Sequence, residues 1–355
     1  VQWATGAVGS AQLREVIDAP DLELAGLFVF NAEKVGRDAG ELVGRLPTGI
    51  VATDDRQAVL DLDADLVLHA ASKAFQRNTN TDDIVSLLES GKDVITTTSY
   101  NHLPTFDPEV QRRIEDACSR SGARFHAAGE HPGFMFERFA TSLTSLSQRV
   151  YRITVQEVVD CRAVAAKEML VDLMGMGKQP EEITTDSPMF RAVSKQYEQA
   201  LGATADVLGL RIDEVRSSID VTTTPVALGL RAATIPAGSV ATQVLSWSAL
   251  HEGRPVLVAE EHWTVAGELH GWDLASGDDF LVRVTVDGAP PISVDLRIGN
   301  DEVPGLPGVA GGQLAVAMTA VRAIPWVRAA PPGVVVPDVF GAYRWPGSAL
   351  RAMTS

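Results

Sequence analysis

Along residues 1–135, short and nearly continuous apolar runs are separated by amphipathic stretches. The run Leu66-Val67-Leu68-His69-Ala70-Ala71 is typical, and such an unbroken run suits a parallel strand covered on both faces. The pattern predicts strands over residues 1–5, 22–30, 49–52, 64–71, 93–98 and 123–128. Helices are predicted between them over 10–19, 56–62, 81–90 and 108–121. Asp107-Pro108-Glu109 supplies a capping side chain and a first-turn proline, while Gly91 and Gly122 stop helices ahead of strands. This half reads as a doubly wound α/β domain.

From about Val150 the rhythm lengthens. Strands are predicted over 151–159, 239–251, 256–264 and 280–286, with hairpin-like turns at Glu252-Gly253-Arg254 and Asp287-Gly288. Helical stretches at 166–176 and 188–208 fall between strands, which is the pattern of a second, α+β domain. A last helix over 312–328, ahead of Pro331-Pro332-Gly333, has an alanine-rich face that needs a close neighbour. The expected organisation is a sheet domain over 1–135, an α+β substrate and dimerisation domain over 136–311, and a C-terminal helix and tail over 312–355 that returns to the first domain.

The opening residues carry chemistry. Ala4-Thr5-Gly6-Ala7-Val8-Gly9 reads as A-x-G-x-x-G between a strand and a helix, and a second apolar strand ends about 20 residues after Gly9. Glycines in such a turn often serve the turn alone. In this context they predict an N-terminal Rossmann sheet, with a dinucleotide pyrophosphate on the backbone N–H groups that open the helix.

Net charge limits the partners. Forty-six acidic against 30 basic residues leave the 355-residue chain at −16, which argues against nucleic acid or an anionic membrane. No apolar run is long enough to span a bilayer, and a small-molecule substrate is the expected partner. Two cysteines, Cys118 and Cys161, offer neither metal spacing nor a disulfide framework, so a cytoplasmic location and no metal are expected.

The chain resembles the dihydrodipicolinate-reductase-like superfamily, closest to the branch of 2,4-diaminopentanoate dehydrogenase and the native amine dehydrogenases. The residues that carry this are Val1-Gln2-Trp3-Ala4-Thr5-Gly6-Ala7-Val8-Gly9, Lys34-Val35-Gly36-Arg37-Asp38-Ala39-Gly40, Glu130-His131-Pro132-Gly133-Phe134, Asp172-Leu173-Met174-Gly175-Met176-Gly177 and Arg322-Ala323-Ile324-Pro325. The resemblance implies an NAD(P)H-dependent oxidoreductase that moves hydride to or from a C=N carbon of a small, fairly apolar substrate, and it implies a homodimer. A carbonyl reductase and a non-catalytic NADP-binding sensor stand as alternatives.

For the cofactor, the second strand ends Val29-Phe30-Asn31 with no acid, and Lys34 and Arg37 follow. A cation there would neutralise a 2′-phosphate, so NADP is expected, while Glu33 keeps NAD open. Contacts are expected from Ala4, Thr5, Gly6, Ala7, Val8, Gly9, Asn31, Lys34 and Arg37, and from the strand ends at Ala70, Ala71, Ser72, Thr97 and Thr98.

Hydride transfer needs alignment and a group that handles a proton. The resemblance puts a glutamate in the loop after the fifth strand, but here that loop reads Ser99-Tyr100-Asn101-His102 and has none. Tyr100 falls nearest that position, and Tyr100, His102 and Glu130 are the candidates for proton transfer. The plain alternatives are a pocket-capping or packing role for Tyr100, a surface loop position for His102, and a bond from Glu130 to a backbone N–H of the Pro132-Gly133 turn. His131, Phe134, Met174 and Met176 are candidates for the substrate pocket, with Trp326 as a further apolar wall. His69 and His126 lie within strands and read as packed, hydrogen-bonded residues.

Overall fold

The computed structural model describes residues 1–71, 77–164, 166–267, 269, 271–272, 274 and 280–346. The chain divides into two compact units: Val1–Phe134 with Glu302–Asp338, and Met135–Asp301 with Val339–Ser355.

The first unit is built on a parallel sheet. Its elements are β1 (Gln2–Trp3), α1 (Ala7–Asp18), β2 (Leu27–Phe28), β3 (Leu66–His69), α2 (Arg77–Glu89), β4 (Asp93–Thr96), α3 (Pro108–Ser121) and β5 (Arg124–Ala127). The helix Gly311–Ala329 and the strand Gly333–Val334 complete it. The sheet runs Gly333–Val334, β5, β4, β3, β1, β2, with every pairing parallel. The order is sequential outward from β1 in both directions, so the chain reverses at β1, where open α/β sheets bind ligands.

Both faces are covered, as the apolar strands required. On one face Trp3, Val67, Val94 and Phe125 pack with Ile84, Leu87 and Ile114 of α2 and α3. On the other, the helix Gly311–Ala329 lies against α1, with Ala317 in a cluster that includes Ala11, Leu13 and Leu27. Arg322 is an outward residue of that helix, paired with Glu15 of α1 at 2.6 Å. Arg328 joins Asp93 and Asp65 at the base of the sheet.

Residues 49–52 do not form the expected full strand. Val51 pairs singly with Asp38 and Thr53 with Phe28. Val51 is exposed, so the segment has no second apolar face to hold a longer ladder. It ends at Asp55, whose carboxylate accepts from the Ala58 N–H and starts the helix Arg56–Leu60.

The second unit has long strands: β6 (Arg149–Asp160), β7 (Glu214–Thr223), β8 (Val240–His251), β9 (Arg254–Thr264), β10 (Phe280–Ala289) and β11 (Ile292–Ile298), with α4 (Pro188–Leu208) between β6 and β7. The order is β11-β10-β6-β9-β8-β7, and only the β6–β9 pair is parallel. The helix α4 packs through one aromatic stack: Trp247 lies on Tyr197 at 4.1 Å and near Phe190 at 5.4 Å, and its indole N–H donates to Ser194 at 2.8 Å. The expected helix over 166–176 is instead a wide turn, Glu168–Leu173, which buries Leu170 and exposes Met169 and Leu173.

Candidate active site

The first turn of the sheet unit explains its glycines. Ala4 has φ 74°, the left-handed region, which costs a non-glycine residue about 1–2 kcal/mol. The conformation is held by two bonds: the Ala4 N–H donates to Phe28 at 2.9 Å, and the buried Gln2 amide donates to the Ala4 carbonyl at 3.0 Å. Gln12 of α1 accepts from the same Gln2 nitrogen at 3.2 Å and ties helix to turn. Gly9 is obligatory here, because a Cβ would stand 2.2 Å from the Ala4 oxygen. Gly6 starts α1 without any side-chain cap, so the first N–H groups of the helix stay available to an anion.

These groups line a cleft of about 470 Å³. Ala4, Thr5, Gly6, Ala7 and Val8 form its floor, Phe30, Asn31 and Lys34 one side, and Ala70, Ala71 and Thr97 the other. Among the described residues Lys34 is its one cation and no carboxylate lines it. The Lys34 ammonium donates to the Thr5 carbonyl at 2.8 Å and the Thr5 hydroxyl at 3.0 Å, which leaves one of its three N–H groups for a ligand. Burial, and then the charge of Arg37, hold the Lys34 pKa below the ordinary lysine value. Asn31 uses its side-chain oxygen to accept from the Glu33 N–H.

Three expected cofactor contacts lie outside the lining. Gly9 acts through the turn, Arg37 is exposed beside Lys34, and the Thr98 hydroxyl is bonded to Thr96 at 2.7 Å. Ser72 lies outside the described residues.

Beneath the carboxyl edge of β3 and β4 runs a buried polar chain. His69 Nδ1 shares a hydrogen bond with the Thr96 hydroxyl at 3.0 Å, and Thr96 continues to Thr98. Burial pushes the His69 pKa down to about 3, so this histidine is neutral and structural. His126 likewise bonds the Val335 carbonyl at 2.9 Å.

The expected proton donor Tyr100 requires correction. It is only 2% exposed, its ring packs on Phe106 and Phe125, and its hydroxyl is bonded to Thr81 at 2.8 Å. Tyr100 is not among the residues that line the cleft. His102 starts the helical turn Leu103–Phe106, with Nδ1 bonded to the Thr105 hydroxyl at 2.7 Å. Glu130 and His131 are half-buried in the loop after β5, and Phe134 closes that loop. Asn101 ties the two loops together, donating to the Ala127 carbonyl at 3.3 Å beside Gly133, where a Cβ would meet its amide at 2.8 Å. Glu130 stands in the loop that follows β5, at the carboxyl edge of the sheet.

In the second unit, Met176 is fully buried core, whereas Met174 lines a pocket of about 150 Å³ with Leu245, Trp263 and Gln243. Trp326 is 78% exposed on the helix Gly311–Ala329 and walls nothing in its unit. Sequence reasoning missed Phe30, which lines the cleft, and the Gln2–Gln12 brace. Their only local signals were an aromatic residue at a strand end and two glutamines in apolar surroundings.

Among the described residues no group of three or more His, Cys, Asp or Glu could hold a metal ion, and no helix is long and apolar enough to cross a membrane. No family model matches the chain. An amine dehydrogenase of Streptomyces virginiae is 30% identical over 351 residues, covering 94% of this chain and 93% of the relative. The structure of an amine dehydrogenase from Mycobacterium smegmatis aligns with TM-score 0.68 at 20% identity, over 94% of this chain and 93% of that one. Scyllo-inositol dehydrogenase of Lactobacillus casei, solved with bound NAD(H) and scyllo-inositol, aligns with TM-score 0.54 at 12% identity, over 92% and 89% of the two chains. The first of these relatives shows the family, and the two structures share the fold of this chain: the chain belongs to the amine dehydrogenase family, within the NAD(P)-dependent dehydrogenases.

Proposed function

We propose that this protein interconverts a small, fairly apolar amine and the corresponding carbonyl compound by hydride transfer at a C=N carbon, with NADP as its preferred cofactor. The observation that carries this reading is the cleft over the uncapped start of α1, whose described lining has one lysine and no carboxylate, in a chain of this family. The cleft fits a dinucleotide: Gly9 keeps the turn closed against the helix, and about 470 Å³ lies open above it. When bound, the nicotinamide of the cofactor would supply or accept the hydride.

The chain's residues do the rest. The N–H groups of Ala7 and Val8 would bind the pyrophosphate, and Lys34 a 2′-phosphate, where an aspartate or glutamate would instead favour the free hydroxyl of NAD. Glu130 would hold the proton of the substrate ammonium and take it up when the amine is oxidised. That restores the carboxylate missing after β4 from the neighbouring loop. His131 and His102 stand at the same edge of the sheet as secondary proton carriers.

The test is consumption of NADPH and NADH against aldehydes and ketones, with and without high ammonia. Ammonia-dependent oxidation, faster with NADPH, is expected, and Glu130→Gln should lower kcat about 100-fold or more. Ammonia-independent oxidation would overturn the amine reading in favour of carbonyl reduction. Tight cofactor binding without turnover on any substrate would leave a sensor.

A further inference from the structure

The cleft has an aromatic wall whose face is open. Phe30 is 42% exposed and lines the cleft on the β2 side, next to Asn31 and Lys34. Its ring meets Phe28 edge-on at 5.0 Å, and Phe28 is stacked on Trp3 at 3.9 Å, so Phe30 stands on a rigid buried support. The guanidinium of Arg56 lies 6.0 Å from the Phe30 ring centre and 5.9 Å from that of Phe28.

Arg56 is pinned there. Its guanidinium pairs at 2.5 Å with Asp83 of α2, whose side chain is only 3% exposed while that of Arg56 is 45% exposed. Burying a carboxylate carries a large desolvation cost, and a half-exposed arginine offsets little of it. What the ion pair does secure is position: a cation held 6.0 Å from the centre of an open aromatic ring.

A planar, conjugated heterocycle is the ligand such a pair recognises, by stacking on the ring and on the guanidinium plane. On the reading of the cleft given above, pyrophosphate sits over α1, and β2 is the side that receives the adenosine end. We propose that Phe30 and Arg56 form the adenine platform of this cofactor site, with Asp83 as the positioning residue that holds Arg56 in place. The inference rests on that reading of the cleft. It goes beyond it in assigning the adenine to side chains absent from the glycine fingerprint.

The experiment is calorimetric titration of the unliganded protein with two halves of the cofactor, ADP-ribose and nicotinamide mononucleotide. Phe30→Leu and Arg56→Lys should each weaken ADP-ribose about tenfold and leave nicotinamide mononucleotide unchanged. Both variants keep a side chain of similar size, and the second keeps a cation beside Asp83, so folding is preserved. Asp83→Asn should weaken ADP-ribose in the same direction, and KM for NADPH should rise without a change in kcat. Unchanged ADP-ribose affinity in both Phe30→Leu and Arg56→Lys overturns the platform, as does equal weakening of both halves, and either leaves the dinucleotide cleft intact. A wild-type protein that binds neither ADP-ribose nor NADPH overturns the cleft itself.

Discussion

The two units spend their sequence differently. The first carries strands of two to four residues, and its distinctive constraints lie in the backbone at their ends: a left-handed Ala4, a Gly9 with no room for a Cβ, an uncapped helix start. The second carries strands of up to 12 residues and is organised by side chains, with one stacked trio of Phe190, Tyr197 and Trp247 between helix and sheet. Backbone constraints make a binding surface that almost any neighbouring side chains can frame. Side-chain packing makes a stable body whose cost is felt when a ring is removed.

That contrast predicts opposite responses to substitution. Trp247→Ala removes the buried centre of the stack and leaves Ser194 without its partner, so a stability loss of about 3–5 kcal/mol is expected in denaturant titration. ADP-ribose affinity should be unaffected. Gly9→Ala should do the reverse. A methyl group 2.2 Å from the Ala4 oxygen must open the turn, so cofactor affinity should fall about 100-fold or more, with a stability cost of about 1–3 kcal/mol. If Gly9→Ala bound NADPH normally, the backbone account of the first unit would be wrong.

Lys34 sharpens the comparison within the first unit. Lys34→Ala should weaken NADPH about tenfold while NADH changes little, the size of one charge-assisted contact. Its lowered pKa gives a sign: the ammonium is lost sooner than an ordinary lysine as pH rises, so NADPH affinity should fall at alkaline pH. Lys34→Arg should flatten that profile. His69 gives the one effect confined to stability at acid pH. Its folded pKa of about 3 lies below the 6.5 of an unfolded histidine, so its contribution is complete above pH 6.5. As pH falls below 6.5 the unfolded chain takes up a proton that the native state refuses, at up to about 1.4 kcal/mol per pH unit. His69→Gln should remove that part of the slope in melts at pH 7 and pH 5.

What could be read from the sequence followed the same division. The glycine turn was legible because Gly9 is required by atoms five residues away, and α3 by its cap at Asp107; the cap of α4, Ser187, was not read. Tyr100 was misleading. Its place in the loop is right for a proton donor, yet Ser99 at φ 63° turns the chain just before it and the ring enters the core. The expected helix over 166–176 kept its inward face only in part, because the wide turn over Glu168–Leu173 buries Leu170 and Met174 and leaves Met169 outside. The pair of Phe30 and Arg56 left no trace, since stacking between residues 26 positions apart has no local pattern.

The central claim is hydride delivery to a carbon bearing nitrogen. Its direct test is turnover of a ketone with deuterium-labelled NADPH and ¹⁵N-ammonia, read by mass spectrometry of the product. An amine carrying both deuterium on carbon and ¹⁵N is the predicted result. A deuterated alcohol without ¹⁵N would contradict it.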